Sequence, residues 1–130
     1  MELITTHPRT MPAGPFSQAF KHAGLVYVAG QVAYDGSLGR PVPGDIKEQT
    51  HQTLRNLSAV LCAAGSSLDK VLKLTCILPN FSRDYAGFNE AFQEFFPGPH
   101  YPARTTFQGG LLGGFVVEIE AIAVCDTESE

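Results

Sequence analysis

Residues 45–65 read DIKEQTHQTLRNLSAVLCAAG, and this one run carries both ends of a helix together with its buried face. Asp45 is an N-cap, and Glu48 three residues on completes a capping box, in which two side chains satisfy backbone donors of the first turn. Ile46, Thr50, Leu54, Leu57, Val60, Leu61 and Ala64 recur at helical spacing and therefore share a face. Gly65 stands where a helix commonly turns into the left-handed conformation and stops. An amphipathic helix must bury its apolar stripe against another element, and the flanking sequence supplies one.

Upstream, residues 17–21 and 25–29 of SQAFKHAGLVYVAGQVA read as the two strands of a hairpin, with His22, Ala23 and Gly24 as the turn. Residues 35–45, DGSLGRPVPGD, are turn and loop. Downstream of the helix, KVLKLTCILP at residues 70–79 is a strand rich in β-branched and apolar side chains. SRDYAGFNEAFQEFF, residues 82–96, starts at a cap-like Ser82 and places Tyr85, Phe88, Ala91, Phe92 and Phe95 on one side of a second helix, which PGP stops. Residues 105–108 and 115–124 are the last strands, and GGLLGG between them reads as a flexible hairpin connection. This order predicts an α+β fold, with two helices packed on one face of a mixed sheet of four to six strands. It forms a single domain over residues 1–130, with the acidic tail at 126–130 frayed. No further helix is left for the other sheet face, so association with other copies of the chain is expected to cover it.

Composition narrows the function classes. With 44% hydrophobic and 17% charged residues in a 130-residue chain, a folded domain is expected rather than disorder. The net charge of −4 and the scattered basic residues give no electrostatic footprint for nucleic acid. No run reaches the roughly 20 apolar residues of a membrane helix, and MELITTHPRTMP lacks the apolar core of a secretory signal. Cys62, Cys76 and Cys125 are too far apart for a zinc site or disulfide framework and read as buried thiols of a cytoplasmic protein. The four histidines have no metal-ligand spacing.

A few residues stand out as candidates for chemistry. Arg104, in YPARTTF, is a lone cation entering a strand. It either sits on a solvated edge or in an ion pair, or it faces a cleft that takes a carboxylate, which guanidinium geometry suits. Glu118 and Glu120, in VEIEAIAV, project to one sheet face while Val117, Ile119 and Ala121 project to the other. They form either the solvated side of an edge strand or a carboxylate pair lining a partly dry cleft, where a raised pKa suits proton transfer. Asn89 within the second helix is either an ordinary surface residue or a ligand contact. GGLLGG lacks the Lys-Ser/Thr ending of a phosphate-binding loop and feeds a strand instead of opening a helix, so it is no phosphate cradle.

Taken together, AGPFSQAF, VYVAGQV, the run from GDIKEQT to LTCIL, FNEAFQEFF, PAR and VEIEAIAV resemble the YjgF/RidA family of enamine and imine deaminases, in family order from about residue 12 to residue 124. The resemblance implies a chorismate-mutase-like fold that assembles as a homotrimer with the sheets forming its core. It also implies ligand sites in the clefts between subunits and hydrolysis of 2-aminoacrylate-like enamines and imines to 2-keto acids and ammonia. No metal or organic cofactor takes part in the implied reaction. By motif, Arg104 corresponds to the arginine that holds the substrate carboxylate, and Glu118 to the carboxylate that handles water and protons, so the two are expected to meet in one pocket. Gly30 supplies a backbone contact, and Asn89 lines the cleft. Phe16 stands where many members have Tyr, Ala29 where they have Ser, Thr106 follows the arginine motif, and GGLLGG replaces the usual turn. These departures predict a more apolar pocket and a substrate of that character, acted on by a pathway-specific relative of the deaminases. A non-catalytic trimer that binds small carboxylates is the other reading that Phe16 and Ala29 favour. RNA cleavage, also associated with such proteins, fits poorly with the charge.

Overall fold

The first helix forms as its ends dictate. In the computed structural model, which describes residues 1–125, α1 spans Ile46–Ala63. The Asp45 carboxylate accepts from the Glu48 amide at 3.0 Å, and the Glu48 carboxylate accepts from the Asp45 amide at 3.4 Å. At the other end Gly65 takes φ +78°, with its amide bonded to the Cys62 carbonyl and the Ser66 amide to the Leu61 carbonyl. That is a Schellman ending, in which glycine avoids the Cβ penalty of positive φ. The second helix, α2, spans Phe81–Phe95 and is capped by Asn80, whose side chain accepts from the Arg83 amide at 3.2 Å. Ser82, expected as the cap, lies inside the helix. Asn80 takes the role because its side-chain oxygen already reaches the third helical amide.

Eight strands accompany the helices: β1 (Glu2–Ile4), β2 (Ala19–His22), β3 (Leu25–Gln31), β4 (Tyr34–Asp35), β5 (Arg40–Pro41), β6 (Val71–Leu78), β7 (Ala103–Gln108) and β8 (Glu118–Val124). Six form one sheet in the order β1-β2-β3-β8-β6-β7, while β4 and β5 make a separate two-stranded ribbon within the stretch expected as loop. Every pair in the large sheet is antiparallel except β6 with β7, which are parallel and joined through α2 as a crossover requires. The β2–β3 hairpin closes on Ala23 and Gly24, at φ +53° and +81°, a two-residue turn with His22 still in the strand. β1 was not anticipated, because three residues are too few to show periodicity.

The expected last hairpin is overturned. β7 and β8 are not a hairpin; β6 lies between them, and GGLLGG crosses over its end. β8 also begins at Glu118 instead of at residue 115, although Phe115 and Val117 are buried ahead of it.

Both helices pack on one sheet face over a core that includes Leu54, Leu57, Leu61, Leu74, Phe88 and Ile119. Among the described residues the opposite face carries no helix, and Leu3, Tyr27, Phe107 and Val124 on it are between 42% and 56% exposed. Of the three cysteines, Cys76 and Cys125 are buried as expected. Cys62 is exposed on α1, because it falls outside the helix's apolar stripe. No helix is long and apolar enough to cross a membrane, and no group of three or more His, Cys, Asp and Glu could hold a metal ion, both among the described residues. The acidic tail expected to fray lies outside the described residues.

Candidate functional site

The candidate residues fall into two half-sites. The first is built on a bulge in β3, where the register with β8 slips between Val28 and Gln31 and takes Ala29 and Gly30 out of the ladder. A buried polar network holds the bulge. The fully buried Gln31 donates to the Ala29 carbonyl at 2.9 Å and accepts from the Thr10 hydroxyl at 2.6 Å, and Gln18 donates to that same hydroxyl at 3.0 Å. Because the Thr10, Gln18 and Gln31 side chains partner one another, the network stiffens the bulge instead of costing stability. Gln31 escaped the sequence reading; a glutamine within an apolar strand, beside two residues of interest, was its only signal.

Glu118 lies against this bulge. A Cβ on Gly30 would stand 2.6 Å from the Glu118 carboxyl carbon, so only glycine leaves the carboxylate its place. Glu118 is half-buried, and its carboxyl is held above its ordinary pKa of 4.5, first by burial and then by repulsion from Glu120. It borders a cavity of about 420 Å³ walled by Met11, Phe16, Val32, Leu111, Leu112 and Phe115, with Ala29 and Gly30 at one side. Glu118 is the one charged residue in that lining, and no hydroxyl accompanies it.

The second half-site belongs to α2 and β7. Tyr85, Phe88, Asn89 and Phe92 follow one another at i, i+3, i+4 and i+7, a single helix face laid over Arg104. The Arg104 guanidinium lies 4.8 Å from the Phe92 ring centre and 5.2 Å from that of Phe88. Its Nη2 donates to Asn89 Oδ1 at 2.8 Å and to the Tyr85 hydroxyl at 3.3 Å. No described carboxylate pairs with it. Arg104 is thus a cation oriented by aromatic faces and two neutral acceptors, with Nε and Nη1 left without a partner among the described residues. A cavity of about 310 Å³ opens beside it, bounded by Asn89, Gln93, Tyr101 and Pro102. Tyr85, Gln93 and Tyr101 were not singled out from sequence; only the docking of α2 on β7 reveals them.

Thr106 enters neither cavity. It pairs in register with Cys76 and points under the helices, where its hydroxyl is buried without a hydrogen bond of good geometry. Burial pushes the Cys76 thiol up to about 12, against the opposing charge of Arg104.

Within one chain Arg104 and Glu118 do not meet. Arg104 is in register with Leu74 and Glu118 with Ile77, three residues apart on β6, so the two side chains leave opposite faces of the sheet. Phe16, Ala29, Gly30 and Glu118 share one cavity, and Asn89 and Arg104 the other.

This fold and arrangement have relatives. The family model described as Endoribonuclease L-PSP matches residues 6–125. A RutC family protein of Pyrococcus horikoshii is 44% identical over 94% of this chain and 96% of its own. The 2-iminobutanoate/2-iminopropanoate deaminase of Mus musculus is 40% identical over 95% of this chain and 90% of its own. Among solved structures, E. coli TdcF with bound serine superposes with a TM-score of 0.88 at 30% identity, covering 97% of this chain and 100% of that one.

Proposed function

The chain belongs to the endoribonuclease L-PSP family, which is the YjgF/RidA/RutC family, and from that premise we propose that it hydrolyses carboxylate-bearing enamines and imines of the 2-aminoacrylate type to 2-keto acids and ammonia. One observation carries the reading: a half-buried carboxyl with a raised pKa, seated against the bulge glycine that leaves it room. The reaction needs a group that both accepts and returns protons near neutrality. In the imine R–C(=NH)–COO⁻ the oxygen of water bonds to C2 while Glu118 takes the water's proton. Glu118 then returns that proton to nitrogen, giving a carbinolamine. It next takes the proton of the new C–OH and passes it to the same nitrogen as the C–N bond breaks, so ammonia leaves and a C=O replaces C=N without any change of redox state. An enamine first takes a proton at C3 and gives one up from nitrogen to become the imine. Proton transfer of this kind is worth about 10²–10⁴-fold. Arg104 holds the carboxylate end, and Asn89 and Tyr85 hold Arg104.

The two half-sites act together when a second copy brings its Arg104 side to the Glu118 side of the first. We read the assembly as a homotrimer whose sheets face one another, which buries Leu3, Tyr27, Phe107 and Val124. The mouse relative's printed activity, on 2-iminobutanoate and 2-iminopropanoate, supports the chemistry. The apolar walls around Glu118 favour a substrate more apolar than those two, and a cytoplasmic location belongs to the same reading.

The experiment is to generate 2-aminoacrylate or 2-imino acids in situ and follow their disappearance with wild type, Arg104→Ala and Glu118→Ala. Acceleration by wild type and its loss in both variants is expected. Wild type no faster than buffer for several side chains would sink the deaminase reading in favour of a non-catalytic carboxylate-binding trimer. That second reading is favoured by the absence of any hydroxyl in the Glu118 cavity. Cleavage of RNA, which the family model's description names, fits poorly with a net charge of −4 and no basic stripe.

A further inference from the structure

The segment 109–115 is a built wall, not a slack connection. The Gly109 amide bonds to the Leu78 carbonyl at the end of β6. At its far side the buried Gln49 of α1 donates to the Gly114 carbonyl at 2.6 Å and accepts from the Val116 amide at 2.9 Å. Gly114 itself takes φ +91°, with Pro41 close enough that a Cβ would stand 2.9 Å from it. Between these anchors Leu111, Leu112 and, just beyond, Phe115 line the Glu118 cavity opposite Met11 and Phe16. Leu112 is 70% exposed and Phe16 50%, two large apolar side chains left facing water on the rim. Gly110 and Gly113, on either side of the leucine pair, have open space where a Cβ would be, and the Phe115 amide bonds to the Leu112 carbonyl at 3.3 Å.

We infer that Leu111, Leu112 and Phe115 are the specificity-determining residues for the substrate's side chain, and that they select 2-imino acids bearing a branched aliphatic or phenyl group over those bearing a methyl group. The inference rests on the proposed deaminase reading and deepens it. A 2-imino acid has three substituents on C2. The carboxylate goes to Arg104, and the nitrogen and the incoming water go to Glu118 beside Gly30. The third substituent is left with the apolar wall, in a cavity whose volume of about 420 Å³ lies within the range that takes whole small-molecule ligands. Each methylene moved from water to such a wall is worth about fourfold in kcat/KM, so three more carbons amount to at least about tenfold even with incomplete burial.

The test compares imines formed in situ from alanine, leucine and phenylalanine by an amino acid oxidase, with wild type and with Leu112→Ser, which removes a side chain too exposed to hold the fold. The leucine- and phenylalanine-derived imines are expected to be hydrolysed with kcat/KM about tenfold or more above the alanine-derived one. Leu112→Ser is expected to reduce that ratio about three- to tenfold. Wild type that accelerates all three alike, or a Leu112→Ser ratio equal to wild type, overturns the selectivity assignment and leaves the deaminase reading standing. No acceleration of any imine overturns both.

Discussion

Arg104, Glu118 and Gly30 carry the most specific consequences at the scale of single residues. Gly30→Ala puts a methyl group into the Glu118 carboxyl, so the carboxyl must move; a displacement near 1 Å costs about 10²-fold in kcat/KM. Steady-state kinetics checks this, with circular dichroism unchanged as the control. Glu118 also makes stability depend on pH. Its folded pKa is raised above the ordinary 4.5, so its contribution is fully present below that value and is lost as pH rises through the raised one. Glu118→Gln is therefore expected to be more stable than wild type at pH 8, with the difference vanishing near pH 4 in denaturant titrations. A difference that persists or widens at pH 4 would show that Glu118 is not desolvated. Glu120→Gln removes the second cause of the shift, so the pH–rate limb assigned to Glu118 should move down in pH. Arg104 was ambiguous in the sequence because edge residue, ion pair and anion clamp use the same guanidinium. Its cradle of Asn89 and two phenylalanines comes from a helix some fifteen residues away in the chain, and no local pattern announces which strand that helix will cover.

The helices were legible because their signals are local. Asp45, Glu48 and Gly65 act on amides within one turn, and the structure uses all three. Asp45→Ala is expected to cost about 1 kcal/mol, the usual value of an N-cap, read from thermal or denaturant unfolding. Asn80→Ala is expected to cost a similar amount. It should also fray the first turn of α2, four residues before the Tyr85 hydroxyl that bonds Arg104. The strands were legible as strands but not as neighbours. β7 and β8 follow each other in sequence and look like a hairpin, yet β6 separates them, because α2 carries the chain across to make β7 parallel to β6. Strand order is decided by which pairings bury the most surface, and glycines between two strands fit a crossover as readily as a turn. The β3 bulge was equally silent: the slip between Val28 and Gln31 depends on β8 and on Thr10, both distant in sequence.

At the scale of the whole molecule, the half-sites on opposite sheet faces make a prediction that no single chain can satisfy. Arg104→Ala and Glu118→Ala, each inactive alone, should regain activity when unfolded and refolded together in equal amounts. About a quarter of sites would then combine an intact Arg104 from one copy with an intact Glu118 from the other. Mixing that restores nothing would place both groups in one chain's site and contradict the geometry on which the shared cleft rests. Val124→Asp, on the uncovered face, should shift the assembly toward monomer in sedimentation and abolish activity in parallel. By itself the sequence determined the two helices, the caps of α1, the α+β class and the identity of the charged candidates, because capping, periodicity and alternation are read over a few residues. Only the tertiary structure decided that Arg104 and Glu118 part company across β6, that Gln31 props the bulge, and that GGLLGG becomes a wall of the Glu118 cavity. Those outcomes depend on strand order and register, where a one-residue change of parity sends a side chain to the other face of the sheet.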